Sequence, residues 1–339
     1  EEKRFKWIIE NCLYYGELQA RSVFSWLVAI DPYDEYKTNT YYGSFLIDDF
    51  DNHARNVWGI EKWDLIIQNP PYQMRKEGFK KTQPLWHLFV QKSLTLLNKD
   101  GYMVMVHPAG WRNIDGDYKS TQSKIKQNQI LYLSINDVKS GERIFGASTR
   151  YDYYILKNCN PNNKTIVISQ SHKIYKIDIS NLEFIPNDDF NEVFKLISKN
   201  EERVNILYSR SLYGSDNGFM SKNKNEIYKY DCLMNVNVKN VPSSVWYSKR
   251  DVGHFGIPKV IFGRKTCGVL VDIDGSYGTC QDCCSIVDDV VNLQNIQKAM
   301  LNKEFINLMK SCDVGGVNDR YSRKIIASFR KDFWKEFIN

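Results

Sequence analysis

The sequence predicts an α/β domain over residues 1–158, built on a helix-wrapped sheet, followed by a smaller α+β domain over residues 159–339. Three observations lead there. Strand-like and helix-like segments alternate through the first half, the pattern of a parallel sheet covered by helices. One of those strands stops abruptly at Asn69-Pro70-Pro71-Tyr72. Beyond an asparagine-rich stretch at 158–163 the strands become shorter, turns more frequent, and aromatics interleave with Lys and Arg.

In chain order, residues 11–17 predict a strand ending in the acid Glu17. Ala20, Val23, Phe24, Leu27 and Val28 recur at helical spacing and predict an amphipathic helix. Residues 40–46 predict the next strand, and Leu65-Ile66-Ile67 form the apolar strand before Asn69. Leu85, Leu88, Phe89, Leu96 and Leu97 predict a helix over about 84–98, with Pro84 suited to its first turn. Residues 101–107 form an apolar run stopped by Pro108, and strands follow over 130–135 and 151–157. The polar stretch at 158–163 reads as an interdomain linker. Residues 254–264 predict a turn, a strand and a basic turn, and 305–337 a helical tail.

Composition narrows the field. Hydrophobic residues make up 42% and aromatics 14% of the 339 residues, which indicates packed cores rather than disorder. The net charge of +6 is compatible with a polyanionic partner. No apolar run reaches membrane-spanning length and no signal-peptide pattern opens the chain, so the expectation is a soluble, cytoplasmic protein without a membrane partner. Cys280-Gln281-Asp282-Cys283-Cys284 suggests part of a zinc site, but the second Cys/His pair that structural zinc requires is missing. Reduced thiols in a reducing compartment, and no metal, are expected. Gly263-Arg264-Lys265-Thr266 lacks the glycine before lysine of a phosphate loop. Asp34-Glu35-Tyr36-Lys37 contains only part of a nuclease-like acid set.

The Asn-Pro-Pro-Tyr run at a strand end resembles the signature of amino-methylating DNA methyltransferases. The likeness is greatest to adenine methylases of restriction–modification systems, including the fused type IIG kind and phage enzymes. Its residue types suit the chemistry. The lone pair of a nucleobase amine is conjugated into the ring, and the amide oxygen of Asn69 with the carbonyl of Pro70 can accept both N–H hydrogens and free it. Two prolines stiffen the loop and hold Asn69 extended. Tyr72 offers a face for a base that has left the helix.

The resemblance implies a Rossmann-like sheet that uses S-adenosylmethionine, with a C-terminal target-recognition domain that reads double-stranded DNA. It implies that Glu17 holds the ribose hydroxyls of the cofactor. Gly43-Ser44-Phe45-Leu46 occupies the place of an acidic motif, so Ser44 and Phe45 become cofactor residues beside Asn69, with Asp48 or Asp49 as substitute acids. Residues 145–154 resemble the loop and strand that set an aromatic, here Tyr151 or Tyr153, against the flipped base. Arg210, Lys249, Arg250, Lys259 and Arg264 are candidate DNA contacts among the aromatic–basic segments.

The glycine-rich cofactor loop of the family is expected upstream of Glu17, yet residues 1–9 contain no glycine. The expectation is that the loop lies on a preceding segment or a partner. Four alternatives stay open. They are N4-cytosine methylation, RNA methylation, methylation of a protein glutamine, and an inactive DNA-recognition subunit. The missing Pro-Cys dipeptide argues against attack on a ring carbon, which needs a cysteine nucleophile.

Overall fold

The computed structural model describes residues 44–46, 48–74, 83–114, 116–209, 213–214, 218–251, 253–280, 282–314 and 321–338. The predicted elements at 11–17 and 20–28, with Glu17, lie outside them. The chain divides into two compact units, Glu1–Ile185 and Pro186–Asn339.

In the first unit, helix α1 (Asp48–Trp58) precedes strand β1 (Trp63–Gln68). The described part of the predicted 40–46 strand, 44–46, is a turn, and acidic residues open the helix after it, where they favour its N-terminus. Phe45 stacks on Phe89 at 5.4 Å, and Trp58 meets Trp63 edge-on at 6.2 Å. These ring contacts pin the α1 region to its neighbours.

Two short strands, β2 (Gln73–Met74) and β3 (Gln83–Pro84), pair antiparallel, and helix α2 (Trp86–Leu96) follows. Pro84 is therefore a ladder residue and not the first turn of the helix. Trp86, Val90 and Ser93, at i, i+4 and i+7, form the buried face of α2. Strand β4 (Leu97–Pro108) leads into a 3₁₀ turn, Ala109–Arg112, then helix α3 (Lys119–Lys126), strand β5 (Gln129–Asn136), helix α4 (Val138–Phe145) and strand β6 (Tyr151–Lys157). Strands β7 (Thr165–Ile168) and β8 (Ile174–Ile177) finish the sheet.

Among the described residues the sheet has six strands in the order β1-β4-β6-β5-β7-β8, and it is mixed rather than parallel. β1 runs parallel to β4, and β5 to β7, but β6 is inserted antiparallel to both β4 and β5. A strand buried on both faces reads as a continuous apolar run whichever way it points, so hydrophobic pattern carries no direction.

The asparagine-rich stretch is an ordered connection and not a linker. Asn158 Nδ2 donates to the carbonyls of Leu97 and Asn98 at 3.2 and 2.9 Å. Gln129 Oε1 accepts the backbone N–H groups of Asn162 and Asn163, each at 2.8 Å. Amide side chains here replace the missing ladder bonds of the crossing segment, and the first unit continues to Ile185 rather than ending at 158.

The second unit holds helix α5 (Phe190–Leu196) and strands β9 (Asn205–Leu207), β10 (Met220–Ser221), β11 (Tyr230–Val236), β12 (Pro242–Ser248), β13 (Lys259–Gly263), β14 (Val269–Asp272), β15 (Gly278–Thr279) and β16 (Cys283–Val287). They form two four-stranded sheets, β10-β12-β11-β15 and β14-β13-β16-β9. The predicted helical tail is interrupted: after helix α6 (Val290–Leu301) come α7 (Lys303–Cys312), α8 (Arg323–Ser328) and a 3₁₀ turn at Phe333–Glu336. Among the described residues no helix is long and apolar enough to cross a membrane.

An ion pair anchors this unit. Lys259 Nζ lies 2.8 Å from Asp272 Oδ2, both side chains being at most 3% exposed, and also donates to the carbonyls of His254 and Ile257. Asp272 accepts the backbone N–H groups of Ser276 and Tyr277. Breaking such a buried pair leaves an uncompensated charge. Lys259→Met is expected to destabilise the protein by about 3–5 kcal/mol in urea unfolding, whereas loss of an exposed pair such as Lys265–Asp282 costs under about 1 kcal/mol.

Candidate functional site

Asn69 leaves β1 at the carboxyl edge of the sheet, one residue beyond the Gln68–Met105 pairing. It is exposed, and its side-chain amide makes no hydrogen bond among the described residues. Pro70 is buried, Pro71 exposed and Tyr72 half-buried. The run is fixed from behind: Leu85 N–H donates to Tyr72 O at 3.0 Å, and Gln73 pairs with Pro84. The prolines remove two donors and fix φ, so the turn is stiff while the Asn69 amide stays uncommitted.

The Tyr72 ring meets Phe145 edge-on at 5.7 Å, and Phe145 meets Tyr151 edge-on at 4.9 Å. Burial, with Tyr151 nearby, pushes the Tyr72 phenol well above its ordinary range, so it stays protonated. Its hydroxyl is buried without a hydrogen-bond partner.

In the segment expected to supply an aromatic, Phe145 is the ring beside Tyr72, while Tyr151 and Tyr153 are buried. Tyr151 is 1% exposed and its hydroxyl is shared with Ser140 at 3.1 Å. Tyr153 stacks on Tyr132 at 5.5 Å inside a separate core cluster. Both are spent on packing because β6 is an interior strand. Phe145 is half-buried at the end of α4, beside the cap residue Gly146 at φ 63°. The signal for its position was Phe145-Gly146: a glycine of this kind ends a helix, so Phe145 belongs to a helix end rather than to a strand.

Local chemistry explains the position of α4. Asp137 caps the helix by accepting the Ser140 N–H at 2.8 Å. Gly141 is buried where the returning chain passes, and a Cβ there would lie 2.1 Å from Thr149 O.

Beneath this rim lies a buried polar layer. His107 stacks on Trp86 at 4.3 Å, with Nδ1 2.9 Å from Pro108 O and Nε2 3.1 Å from the Tyr154 hydroxyl. Since Pro108 O only accepts, Nδ1 carries the proton and Nε2 accepts from Tyr154. Burial lowers the His107 pKa to about 3. Asp152 accepts from Arg112 Nε at 2.7 Å and from Trp111 Nε1 at 2.8 Å.

The remaining predicted residues are scattered. Ser44 is exposed, while Phe45 is half-buried against Phe89 and Phe50, with Lys92 over its ring. Asp49 is exposed in the first turn of α1. Arg210 lies outside the described residues. Lys249 and Arg250 are exposed, and Arg264 is half-buried. Lys259, expected to touch DNA, is fully buried in its ion pair with Asp272, because a basic residue beside a strand can serve the core as readily as the surface. Among the described residues no group of His, Cys, Asp and Glu could hold a metal ion. Cys280, Cys283 and Cys284 are buried and in no disulfide.

Comparison with known proteins adds a family likeness. The model of the Eco57I restriction-modification methylase family matches residues 26–145, which include the Asn69–Tyr72 run and Phe145. A curated relative from Mycoplasma pneumoniae, an "uncharacterized adenine-specific methylase", is 27% identical over 145 residues. That alignment covers 39% of this chain, and the chain spans about a third (33%) of the relative's length. Among solved structures, the type IIL restriction-modification enzyme MmeI in complex with DNA matches with a TM-score of 0.42 at 9% identity, covering 78% of this chain and 46% of that one. The EcoKI M protein of a type I restriction enzyme matches with a TM-score of 0.29 at 13% identity, covering 46% and 38%.

Two measurements check this geometry. Gly141→Ala forces a methyl group onto a backbone oxygen, and overpacking of this kind is expected to cost about 1–3 kcal/mol in thermal unfolding. For His107, the folded pKa lies below the ordinary 6.5, so the unfolded chain binds the proton first. Its contribution is fully present above pH 6.5 and is lost as pH falls toward 3, at about 1.4 kcal/mol per pH unit. Urea unfolding between pH 5.5 and 4.5 should show that slope, reduced by about that amount in His107→Gln.

Proposed function

We propose that this chain carries the methyl-acceptor site of an S-adenosylmethionine-dependent DNA methyltransferase acting on the N6 amine of adenine, with the second unit as its target-recognition domain. One observation carries the reading. An exposed Asn69 with an uncommitted amide is held by two prolines at the carboxyl end of a parallel strand, beside the Tyr72–Phe145 pair. The restriction-modification methylase match around these residues supports it.

In this mechanism an adenine leaves the duplex, at a cost of a few kcal/mol offset by stacking and hydrogen bonding. Tyr72 supplies a flat ring face, and Phe145 holds that ring by its edge. The Asn69 amide oxygen and the Pro70 carbonyl accept the two N6 hydrogens and draw the nitrogen toward tetrahedral geometry. Their contribution is positioning and electrostatics, realised as positive charge develops on the nitrogen. The cofactor, when bound, supplies an electrophilic methyl group on a sulfonium. Exposed Ser44 and the uncommitted Asn69 amide suit such a polar ligand, Phe45 adds an apolar wall, and Glu17 is proposed to hold the ribose hydroxyls.

Asn69→Ala is expected to cut methyl transfer by on the order of 10²–10³-fold, while duplex affinity stays near that of the parent protein. Radiolabel transfer to duplex DNA, with the product digested to nucleosides, measures both rate and base. Unchanged turnover in Asn69→Ala, or label on cytosine, RNA or protein glutamine, would count against the adenine reading.

A further inference from the structure

Five cations in the second unit sit over aromatic rings near the short edge strand β10. Arg250 lies with its guanidinium carbon 3.4 Å from the centroid of Phe219, and Lys249 Nζ stands 5.0 Å from the same ring. Lys222 Nζ is 5.4 Å from Trp246. Lys224 covers Tyr247 and is ion-paired with Asp231, and Lys229 lies over its neighbour Tyr230. Lys222, Lys249 and Arg250 are exposed and make no side-chain hydrogen bond or ion pair among the described residues.

The backbone beneath them is set. β10 pairs with the far end of β12, Met220 with Ser248 and Ser221 with Tyr247. Lys249 N–H donates to Phe219 O at 3.0 Å. Ser248, fully buried, donates its hydroxyl to Arg250 O at 2.8 Å and accepts the Arg250 N–H at 3.2 Å.

We propose that Lys222, Lys249 and Arg250 form a phosphate-binding edge that holds the backbone of duplex DNA without reading its sequence. This deepens the reading above and rests on it for the nature of the partner. A ring beneath a cation restrains a long side chain before binding, which lowers the ordering cost of each phosphate contact. Held with its guanidinium carbon 3.4 Å above Phe219, Arg250 makes no side-chain hydrogen bond among the described residues, and its N–H fork can grip a phosphate in bidentate fashion. Cations at a sheet edge also discourage pairing with another chain, but that role needs no supporting rings.

The test measures binding of the full chain to a fluorescein-labelled duplex of random sequence by anisotropy across a salt series. Counterion release makes log affinity fall with log salt by about 0.9 per neutralised phosphate. The Lys222→Gln/Lys249→Gln/Arg250→Gln variant should lower that slope by about three, and Lys303→Gln, an exposed lysine on α7, should leave it unchanged. Phe219→Leu keeps every charge, so affinity should fall severalfold with the slope retained. A slope unmoved in the triple variant overturns the proposal, as does equal loss in Lys303→Gln or self-association of the triple variant on size exclusion without a change in slope. Asn69→Ala run in parallel separates the readings. A methyltransferase with an unmoved slope sinks only this edge, and a moved slope in a protein without transfer activity sinks only the catalytic assignment.

Discussion

Asp152 is a carboxylate with no access to water, on an interior strand of the first sheet. A buried charge costs several kcal/mol unless it is met inside the protein. Arg112 and Trp111 meet it, both on one oxygen, while the other oxygen has no partner. Arg112 then donates to Ile185 O at 2.8 Å, and its own carbonyl accepts the Ile185 N–H at 3.0 Å. The turn after β4, the start of β6 and the last residue of the unit are thereby fixed together. The residue beside Asp152 is Tyr151, which packs on Phe145, which in turn packs on Tyr72. The height at which β6 enters the sheet thus determines where the aromatic wall of the candidate site stands.

The second unit solves the same problem with the opposite sign. Lys259 is a buried cation facing Asp272 across the β13–β14 ladder, and its other donors hold the carbonyls of His254 and Ile257. His254 is itself buried. It accepts the Thr279 N–H on Nδ1, so its Nε2 carries the proton toward Ser209 Oγ, and burial with Lys259 nearby lowers its pKa to about 4. The loop at 254–257 is therefore tied by charge and hydrogen bonds rather than by apolar packing alone. In both units a single buried pair converts irregular chain into a defined support, and exposed groups nearby can be held without having to stabilise the fold.

What was legible in the sequence follows from this division. Strand positions such as 151–157 and the strand before Asn69 were legible, because burial writes itself as apolar runs. The direction of β6 was not, since an interior strand looks alike in either sense. The asparagines at 158–163 looked like a linker because polar composition does not distinguish solvated chain from chain whose amides bond to nearby backbone. The place of Asn69 at an exposed strand end was legible, because a proline after it keeps the residue extended. Lys259 was misread for a physical reason: charge alone does not say whether an opposite charge waits across the ladder. The burial of Tyr151 and Tyr153 was not legible, since an aromatic on a strand reads alike in the core and at an edge.

The chemistry open to the rim follows from which polar groups are already committed. His107 is held neutral by burial, with both ring nitrogens engaged, so it has no capacity to take a proton from a substrate near neutral pH. Tyr72 is kept protonated by burial, so it is a ring and not a base. Asp152 is tied to Arg112 and Trp111, and Tyr154 spends its hydroxyl on His107. Asp152 Oδ1 and the Tyr72 hydroxyl also lack partners but are buried, whereas the Asn69 amide is exposed and unbonded among the described residues, and an amide oxygen accepts hydrogen bonds without titrating. A site so composed suits a reaction in which an amine must be oriented and its lone pair freed, and is poorly suited to one that needs a strong base or a nucleophile. On the proposed reading the proton lost after transfer leaves to solvent from an already alkylated, strongly acidic nitrogen, a step for which no protein base is required. On the proposed reading it is the exposure of the amide, beside neighbours that are buried, that leaves Asn69 to act on what enters the rim.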